Sequence, residues 1–142
     1  MTLRAVVDDD IHVFYGYQCD TAAAQMAQVA QRDEAAYLAH WRGLLADDTV
    51  GKRTVLFNGA VAGQVLSFNR DGVRELGYWL GREFWGQGIA GAAVLRYLTI
   101  ERHRPLFAVV AEHNEASRRL VIRCGFREIA NKDGARHFEL SG

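Results

Sequence analysis

The stretch Phe84-Trp85-Gly86-Gln87-Gly88-Ile89-Ala90-Gly91 decides how this chain can be interpreted. Its glycines stand between a strand-like run at residues 74–80 and an apolar run at residues 89–101. Glycine permits tight turns and lets main-chain N–H groups approach a ligand, because no Cβ stands in the way. A helix that begins in the apolar run directs the positive end of its dipole at the same point. Loop and helix together predict a site for a phosphate or pyrophosphate group.

The same glycines match the G-x-G-x-x-G pattern of dinucleotide-binding domains, and Glu112 follows them about twenty residues later. That pattern normally opens directly from the first strand of a βαβ unit. Here the five residues 81–85 separate the predicted strand from the loop, and hairpin turns join the strands before it. A nicotinamide-binding domain and a glycine turn without a ligand therefore remain as weaker alternatives.

Length and composition predict one globular domain over residues 1–142. Lys plus Arg and Asp plus Glu number 17 each, so the formal net charge is zero, which disfavours nucleic acid as a partner. No apolar run approaches the roughly 20 residues of a membrane span, and the N-terminus does not resemble a signal peptide. Cys19 and Cys124 are too few for a disulfide framework or a metal site. We therefore expect a cytoplasmic protein without a metal or a membrane partner.

Hydrophobic periodicity and turn residues predict an alternation of strands and helices. Asp8, Asp9 and Asp10 are candidate N-caps of the first helix, and Asn58-Gly59 is a strong hairpin turn. The predicted elements are strand 3–7, helices 8–17, 22–30 and 33–45, strands 53–57, 61–68 and 73–80, helix 89–101, strand 105–111, helix 114–124 and strands 126–131 and 135–140.

That order of elements accompanies three motifs, namely Gly77-Tyr78-Trp79-Leu80-Gly81, the glycine loop, and His113-Asn114-Glu115-Ala116-Ser117 before Cys124-Gly125-Phe126. Together they resemble the GNAT acetyltransferase superfamily, and within it the branch that includes ribosomal-protein N-terminal acetyltransferases. The resemblance runs from about Leu56 to Arg127. It implies the acyl-CoA N-acyltransferase fold, an α+β (mixed α/β sandwich) class. In that fold a central, mostly antiparallel, splayed sheet of about six to seven strands is flanked by helices.

The resemblance also implies acetyl-CoA as a co-substrate, bound where the fourth and fifth strands splay apart. The main-chain groups expected to meet the pantetheine arm and the thioester belong to Trp79, Leu80 and Gly81. The N–H groups expected to hold the pyrophosphate belong to Gln87, Gly88, Ile89, Ala90 and Gly91. Family members often carry Thr at the position of Gly91, so one hydroxyl contact is missing here.

Transfer of an acetyl group to an amine needs a neutral amine, a stabilised oxyanion and a proton for the leaving thiolate. Many relatives protonate the thiolate with a late Tyr, and this chain has none after Tyr97. By its place in the motif, Ser117 is the candidate acid or proton relay, and an ordinary serine of a first helical turn is the alternative. Asn114 is expected to orient the pantetheine or the substrate, or to cap the helix, or both.

The general base is less well determined by the sequence. Glu75 is the preferred candidate because it lies on a strand that would flank the gap, with Glu112, His113 or a water molecule as alternatives. Each of these side chains has a solvated or structural role as its competing interpretation.

Three aromatic residues of the first helix, Phe14, Tyr15 and Tyr17, are candidates for the wall of the acceptor pocket, with core packing as the alternative. The acidic residues near them could attract a cationic amine or serve as helix caps. The acceptor is expected to be a primary amine, either on a small molecule or at a peptide N-terminus, and the resemblance is compatible with a homodimer. A non-catalytic domain that binds acyl-CoA is the alternative function.

Overall fold

The computed structural model describes every residue from Met1 to Gly142. Seven strands run as β1 (Thr2–Arg4), β2 (Gly51–Phe57), β3 (Ala60–Arg70), β4 (Val73–Leu80), β5 (Leu106–Ala111), β6 (Arg127–Lys132) and β7 (Ala135–Leu140). Five α-helices run as α1 (Asp8–Gln18), α2 (Thr21–Ala27), α3 (Glu34–Ala46), α4 (Ile89–Tyr97) and α5 (Glu115–Arg123). None of these helices combines the length and the apolar composition that crossing a lipid bilayer requires.

The predicted order of elements is confirmed, although β1 ends at Arg4 rather than at residue 7 and α2 ends at Ala27 rather than at residue 30. Helix α4 likewise ends at Tyr97 rather than at Glu101. The hydroxyl of Thr99 donates a 2.7 Å hydrogen bond to the carbonyl of Arg96. A side chain that bonds to the main chain in this way competes with continuation of a helix.

All seven strands form one sheet in the order β1-β2-β3-β4-β5-β7-β6. Only β4 and β5 run parallel, and their pairing is limited to Glu75 with Phe107 and Leu76 with Ala108. Beyond Leu76 the two strands diverge and leave a gap in the middle of the sheet. The expected splayed and mostly antiparallel sheet is confirmed, and its topology excludes the doubly wound parallel sheet of a nicotinamide domain.

Two apolar clusters hold helices on opposite faces of the sheet. The larger contains 17 buried residues and joins α4 and α5 to one face, with Val94, Leu106 and Phe138 fully enclosed. The smaller joins α1 and α3 to the other face through Phe14 and Trp41, whose ring centroids are 5.1 Å apart. Burying large apolar side chains on both faces fixes the sheet between two helical layers.

Asp10 does not cap α1 as the sequence predicts, because the N-cap residue is Val7 and the three aspartates form the first helical turn. The carboxylate of Asp10 turns back and accepts a 3.0 Å hydrogen bond from the N–H of Val7. It also accepts from Thr54 Oγ1 at 2.6 Å and from both terminal nitrogens of Arg4 at 2.6 and 2.8 Å. Burial would raise the pKa of Asp10, but these hydrogen bonds outweigh it and hold the pKa below its ordinary value.

We expect Asp10→Asn to lower the free energy of unfolding by about 2 kcal/mol at neutral pH, because it removes a buried, charge-assisted network. A carboxylate whose pKa is lower in the folded state contributes stability above its unfolded pKa of about 3.9. That contribution is lost as pH falls through the lower folded pKa. Denaturant unfolding from neutral pH to pH about 2 should therefore show the two proteins converging. The exposed Asp9→Asn serves as the control, and a difference that stays constant with pH would contradict this assignment.

Candidate active site

The glycine loop presents six consecutive main-chain N–H groups, from Gly86 to Gly91, that donate no hydrogen bond within the chain. Gly86 and Gly88 have φ angles of 73° and 74°, a left-handed conformation that favours glycine. Gly88 is the N-cap of α4, so the N–H groups of the first helical turn also remain free. Free donors and the helix dipole are the features that suit an anion, and the phosphate site that the sequence predicts here stays a prediction.

A cavity of about 580 Å³ opens from this loop toward the gap in the sheet, and we call it the larger cavity. Its walls come from the end of β4, the loop and first turns of α4, one face of α5, and α2. No Asp or Glu lines it, whereas Arg119 and Arg123 do. Both are exposed, lie one helical turn apart, and form no hydrogen bond or ion pair within the chain. The cavity is therefore apolar in its body and positive at its rim.

A smaller cavity of about 350 Å³ is lined by residues of β3, β4 and β5, and by residues at the end of α2. Both cavities are lined by Ala27, Tyr78, Trp79, Asn114 and Ser117. We call these shared residues the junction. A ligand in the larger cavity and a second molecule in the smaller one would meet there, through the gap that opens where β4 and β5 part.

Alternate residues of β4 direct their main-chain N–H and C=O groups toward β3 and toward the gap. The N–H of Gly81, the residue directly after β4, donates a 2.9 Å hydrogen bond to the carbonyl of Ala62 and so continues the bonding of β4 to β3. Because bonding alternates along an antiparallel pair, Leu80 and Tyr78 direct their main-chain groups the other way. The carbonyl of Leu80 accepts from Trp85 Nε1 at 3.0 Å, but its N–H faces the gap. Of the three residues predicted to offer main-chain groups, Leu80 is placed to do so, whereas Trp79 and Gly81 bond toward β3.

A hydrogen bond crosses the junction from the hydroxyl of Tyr78 to Oγ of Ser117, at 2.9 Å. Ser117 lies in the first turn of α5, where its N–H donates to Oδ1 of Asn114, the N-cap residue, at 3.3 Å. The predicted capping role of Asn114 is thus present, and its amide nitrogen has no partner in the chain. Burial raises the pKa of Tyr78, although the contact with Ser117 lowers it in part. Tyr78 is therefore protonated at neutral pH.

Glu75 lies in the wall of the smaller cavity and is 8% exposed. Burial raises the pKa of its carboxyl, and Arg70, whose Nη2 is 3.5 Å away, lowers it in part. Glu75 stands three strand positions before Tyr78, which corresponds to about 10 Å along β4. Its role as a base stays a prediction, and at that distance a proton would pass through water. The alternatives Glu112 and His113 line neither cavity.

The aromatic residues of α1 lie elsewhere. Phe14 is 1% exposed and packs in the smaller apolar cluster, while Tyr15 packs 5.6 Å from Tyr37 between ring centroids. The hydroxyl of Tyr17 donates 2.6 Å to the carbonyl of Val61. The Tyr17 ring also closes on Gly81, where a Cβ would lie 2.5 Å from it. That these rings wall an acceptor pocket stays a prediction, and the two cavities give it no support.

An ion pair secures α2 over the junction. Asp20 caps α2 by accepting from the N–H of Ala23 at 3.2 Å, and it binds Arg82 through two contacts of 2.6 Å. Arg82 precedes the glycine loop, so this pair ties the helix above the junction to the loop below it. Asp20, one of the acidic residues near the aromatic side chains of α1, is therefore already paired with an arginine. The side chain of Gln87, a residue predicted to hold phosphate, donates a 2.9 Å hydrogen bond to the carbonyl of Glu83. The main-chain N–H of Gln87 donates no hydrogen bond within the chain.

Sequence reasoning missed three residues of the site, namely Tyr78, Arg119 and Arg123. Tyr78 stood inside a quoted motif, and alternation along the strand would have placed it on the same face as Leu76 and Leu80. The two arginines are spaced i, i+4 on the predicted α5, which puts them on one face of that helix. Which face meets the larger cavity depends on how α5 packs.

Comparison with known proteins agrees with this geometry. The family model described as Acetyltransferase (GNAT) domain matches residues 1–127. The Bacillus subtilis (strain 168) protein named "Putative ribosomal N-acetyltransferase YdaF" is 34% identical over 96 residues. The match covers 62% of this chain and 52% of that protein, so it spans about half of the relative's length.

Solved structures share the fold at low sequence identity. An acetyltransferase from Thermus thermophilus has a TM-score of 0.82 at 14% identity, with 100% of this chain and 98% of that chain covered. AAC(6')-Ib in complex with ribostamycin and coenzyme A has a TM-score of 0.79 at 18% identity, with 99% and 92% covered. Spermidine N-acetyltransferase SpeG from Vibrio cholerae has a TM-score of 0.77 at 16% identity, with 99% and 95% covered.

The splayed sheet, the free N–H groups of the glycine loop and the family match over most of the chain lead to one conclusion: the chain belongs to the GNAT acetyltransferase domain family.

Proposed function

We propose that this protein transfers an acetyl group from acetyl-CoA to a primary amine by direct attack in a ternary complex. The observation that carries the proposal is the pair of cavities that meet at the junction, the larger of which begins at six free N–H groups. The loop from Gly86 to Gly91 would hold the pyrophosphate, and the apolar body of the larger cavity would enclose the pantetheine arm. The amine would enter through the smaller cavity.

Acetyl-CoA supplies an activated thioester carbonyl, and the residues of the junction act on the charges that develop during transfer. The amine nitrogen forms a bond to the carbonyl carbon, the carbon–sulfur bond breaks, and the amine loses one proton while the thiolate gains one. We propose that the N–H of Leu80, which faces the gap, stabilises the oxyanion. Ser117 is the proposed route by which the sulfur receives its proton, and Glu75 is proposed to accept the proton of the amine through water.

The walls of the smaller cavity favour an amine that carries little additional charge. Its one carboxylate, Glu75, is already paired with Arg70, and the remaining lining is mainly apolar. A polycation, like the aminoglycoside bound to the structural neighbour AAC(6')-Ib, would find little negative charge there. An α-amine has a pKa of about 8 and an alkyl amine about 10, so the former is more often neutral at pH 7. We therefore propose a peptide N-terminus as the leading acceptor, ahead of small monoamines.

Thermal unfolding with acetyl-CoA, CoA, NAD or no ligand tests the binding step. At about a hundredfold excess over Kd, a ligand stabilises the folded state by about 2.7 kcal/mol and raises Tm by several degrees. We expect a shift with acetyl-CoA and CoA but not with NAD. Thiol release from acetyl-CoA is then followed with short peptides, monoamines, diamines and an aminoglycoside. No shift with either CoA compound would contradict the proposal, and a shift without thiol release would favour a non-catalytic acyl-CoA-binding domain.

Arg119 and Arg123 lead to a second expectation about the same ligand. CoA carries a phosphate on its ribose in addition to the pyrophosphate, and two free guanidinium groups one turn apart suit a phosphate group. We expect Arg119→Ala/Arg123→Ala to weaken CoA binding by about 10-fold or more, because each charge-assisted contact is worth about 1.5–3 kcal/mol when well formed. Dephospho-CoA, which lacks that phosphate, should bind the variant and the parent protein equally well in calorimetry.

Arg96→Ala is the matched control for this pair, because Arg96 is an exposed arginine on α4 that does not line the larger cavity. It removes the same type of charge from the neighbouring helix and should leave the preference for CoA over dephospho-CoA unchanged. Equal losses for both ligands in the double variant would show general electrostatic attraction rather than recognition of that phosphate.

A further inference from the structure

A hydrogen bond joins the hydroxyls of Tyr78 and Ser117 at the junction, where the larger and smaller cavities meet. We call these two linked hydroxyls the hydroxyl chain. Because Tyr78 donates its proton to Ser117 Oγ, the proton of Ser117 is free to point toward a different acceptor in the cavity. The N-cap contact of Asn114 holds the first turn of α5, and with it the position of Ser117. The pair is therefore both aligned and accessible from the cavities.

Acid strength indicates which of the two hydroxyls is the proton source. A thiol has a pKa of about 8.5 and a phenol about 10. Burial raises the pKa of Tyr78 further, so transfer from this phenol to a thiolate is uphill, but far less so than transfer from an aliphatic hydroxyl. An aliphatic hydroxyl is a much weaker acid than either and cannot lose its proton to a thiolate unless another group replaces it. Ser117 alone is therefore a poor acid. It can donate its proton to the thiolate when Tyr78 replaces that proton at the same time.

We infer that Tyr78 acts through Ser117 as the proton source for the leaving thiolate, an assignment that rests on the proposed acetyl transfer. As the carbon–sulfur bond breaks, the sulfur takes the proton of Ser117 Oγ, and Ser117 takes the proton of Tyr78. Glu75, which has accepted the proton of the amine, returns it by way of solvent to the phenolate of Tyr78. No proton is gained or lost over the cycle. Many relatives protonate the thiolate with a tyrosine in the last third of the chain, and this chain has none there. Tyr78 of β4 supplies that proton instead.

The test compares Tyr78→Phe, Ser117→Ala and the double variant with the parent protein. Tyr97→Phe is the matched control, because Tyr97 and Ser67 form another buried tyrosine–serine hydroxyl pair, 2.5 Å apart, that lines neither cavity. Both phenylalanine variants remove one phenol oxygen that is hydrogen-bonded to a serine hydroxyl, from β4 in one case and from the end of α4 in the other. Loss of stability alone would affect them alike.

We expect Tyr78→Phe to lower kcat by about 100-fold, the lower end of the range of general acid catalysis, while KM for acetyl-CoA changes less than about twofold. Ser117→Ala should have a similar effect, and the double variant should be no slower than the slower single variant, because the two residues act in one chain. Tyr97→Phe should keep the parent kcat. Unchanged kcat in Tyr78→Phe, or independent losses that multiply in the double variant, would overturn the inference.

Ionisation of bound CoA gives a second readout that needs no turnover. A hydrogen bond donated to the thiolate favours its charged form and lowers the pKa of the bound thiol. Ultraviolet absorbance of the thiolate, followed against pH in the CoA complex, should therefore show a higher thiol pKa in Tyr78→Phe and Ser117→Ala than in the parent protein or Tyr97→Phe. The same thiol pKa in all four proteins would refute the hydroxyl chain.

The two readouts separate this inference from the proposed function. Thiol release by the parent protein that persists in Tyr78→Phe removes Tyr78 from the mechanism and leaves acetyl transfer standing. If the parent protein releases no thiol but the thiol pKa of bound CoA still depends on Tyr78, the proposed transfer reaction is wrong. The hydroxyl chain then stands as a feature of the CoA site.

Discussion

The short pairing of β4 with β5 is the constraint on which the rest of the structure depends. Only two residue pairs join these strands before they part. The gap leaves the N–H of Leu80 without a partner strand and lies where the larger and smaller cavities meet, at the junction of β4 and α5. A fully paired sheet would close the junction and satisfy the main-chain groups that the proposed chemistry needs.

The proposed anion site at the glycine loop depends on the main chain more than on any side chain. Six free N–H groups and a helix dipole are available whatever side chains the loop carries, provided that Gly86 and Gly88 keep their positive φ angles. This explains how Gly91 can replace a threonine without removing the site, since the hydroxyl is one contact among many. Side-chain charge enters only at the rim, through Arg119 and Arg123.

The hydrogen-bonded polar pairs of the protein are of two kinds, those that hold helices in place and the pair that lies at the junction. The ion pair of Asp10 with Arg4 and the hydroxyl pair of Tyr97 with Ser67 line neither cavity. Asp10 and both hydroxyls are buried while Arg4 is partly exposed, and these contacts fix the position of α1 and of the end of α4. Tyr78 with Ser117 has similar chemistry but faces two cavities, which leaves one proton free to leave the pair. Access to a cavity, not the residue types, separates the two tyrosine–serine pairs.

The sequence alone determined the order of elements and the glycine loop, because periodicity, turn residues and positive-φ glycines act over a few residues and need no distant partner. Its three motifs, through their resemblance to a family, also predicted the splayed sheet and placed Ser117 and Asn114 at the start of α5. Only the tertiary structure decided that Asp10 buries its charge against Arg4, that Tyr78 reaches Ser117 across 39 positions, and that the rings of α1 lie away from both cavities. These contacts depend on how the helices pack on the sheet, and packing selects them among many sterically allowed pairs.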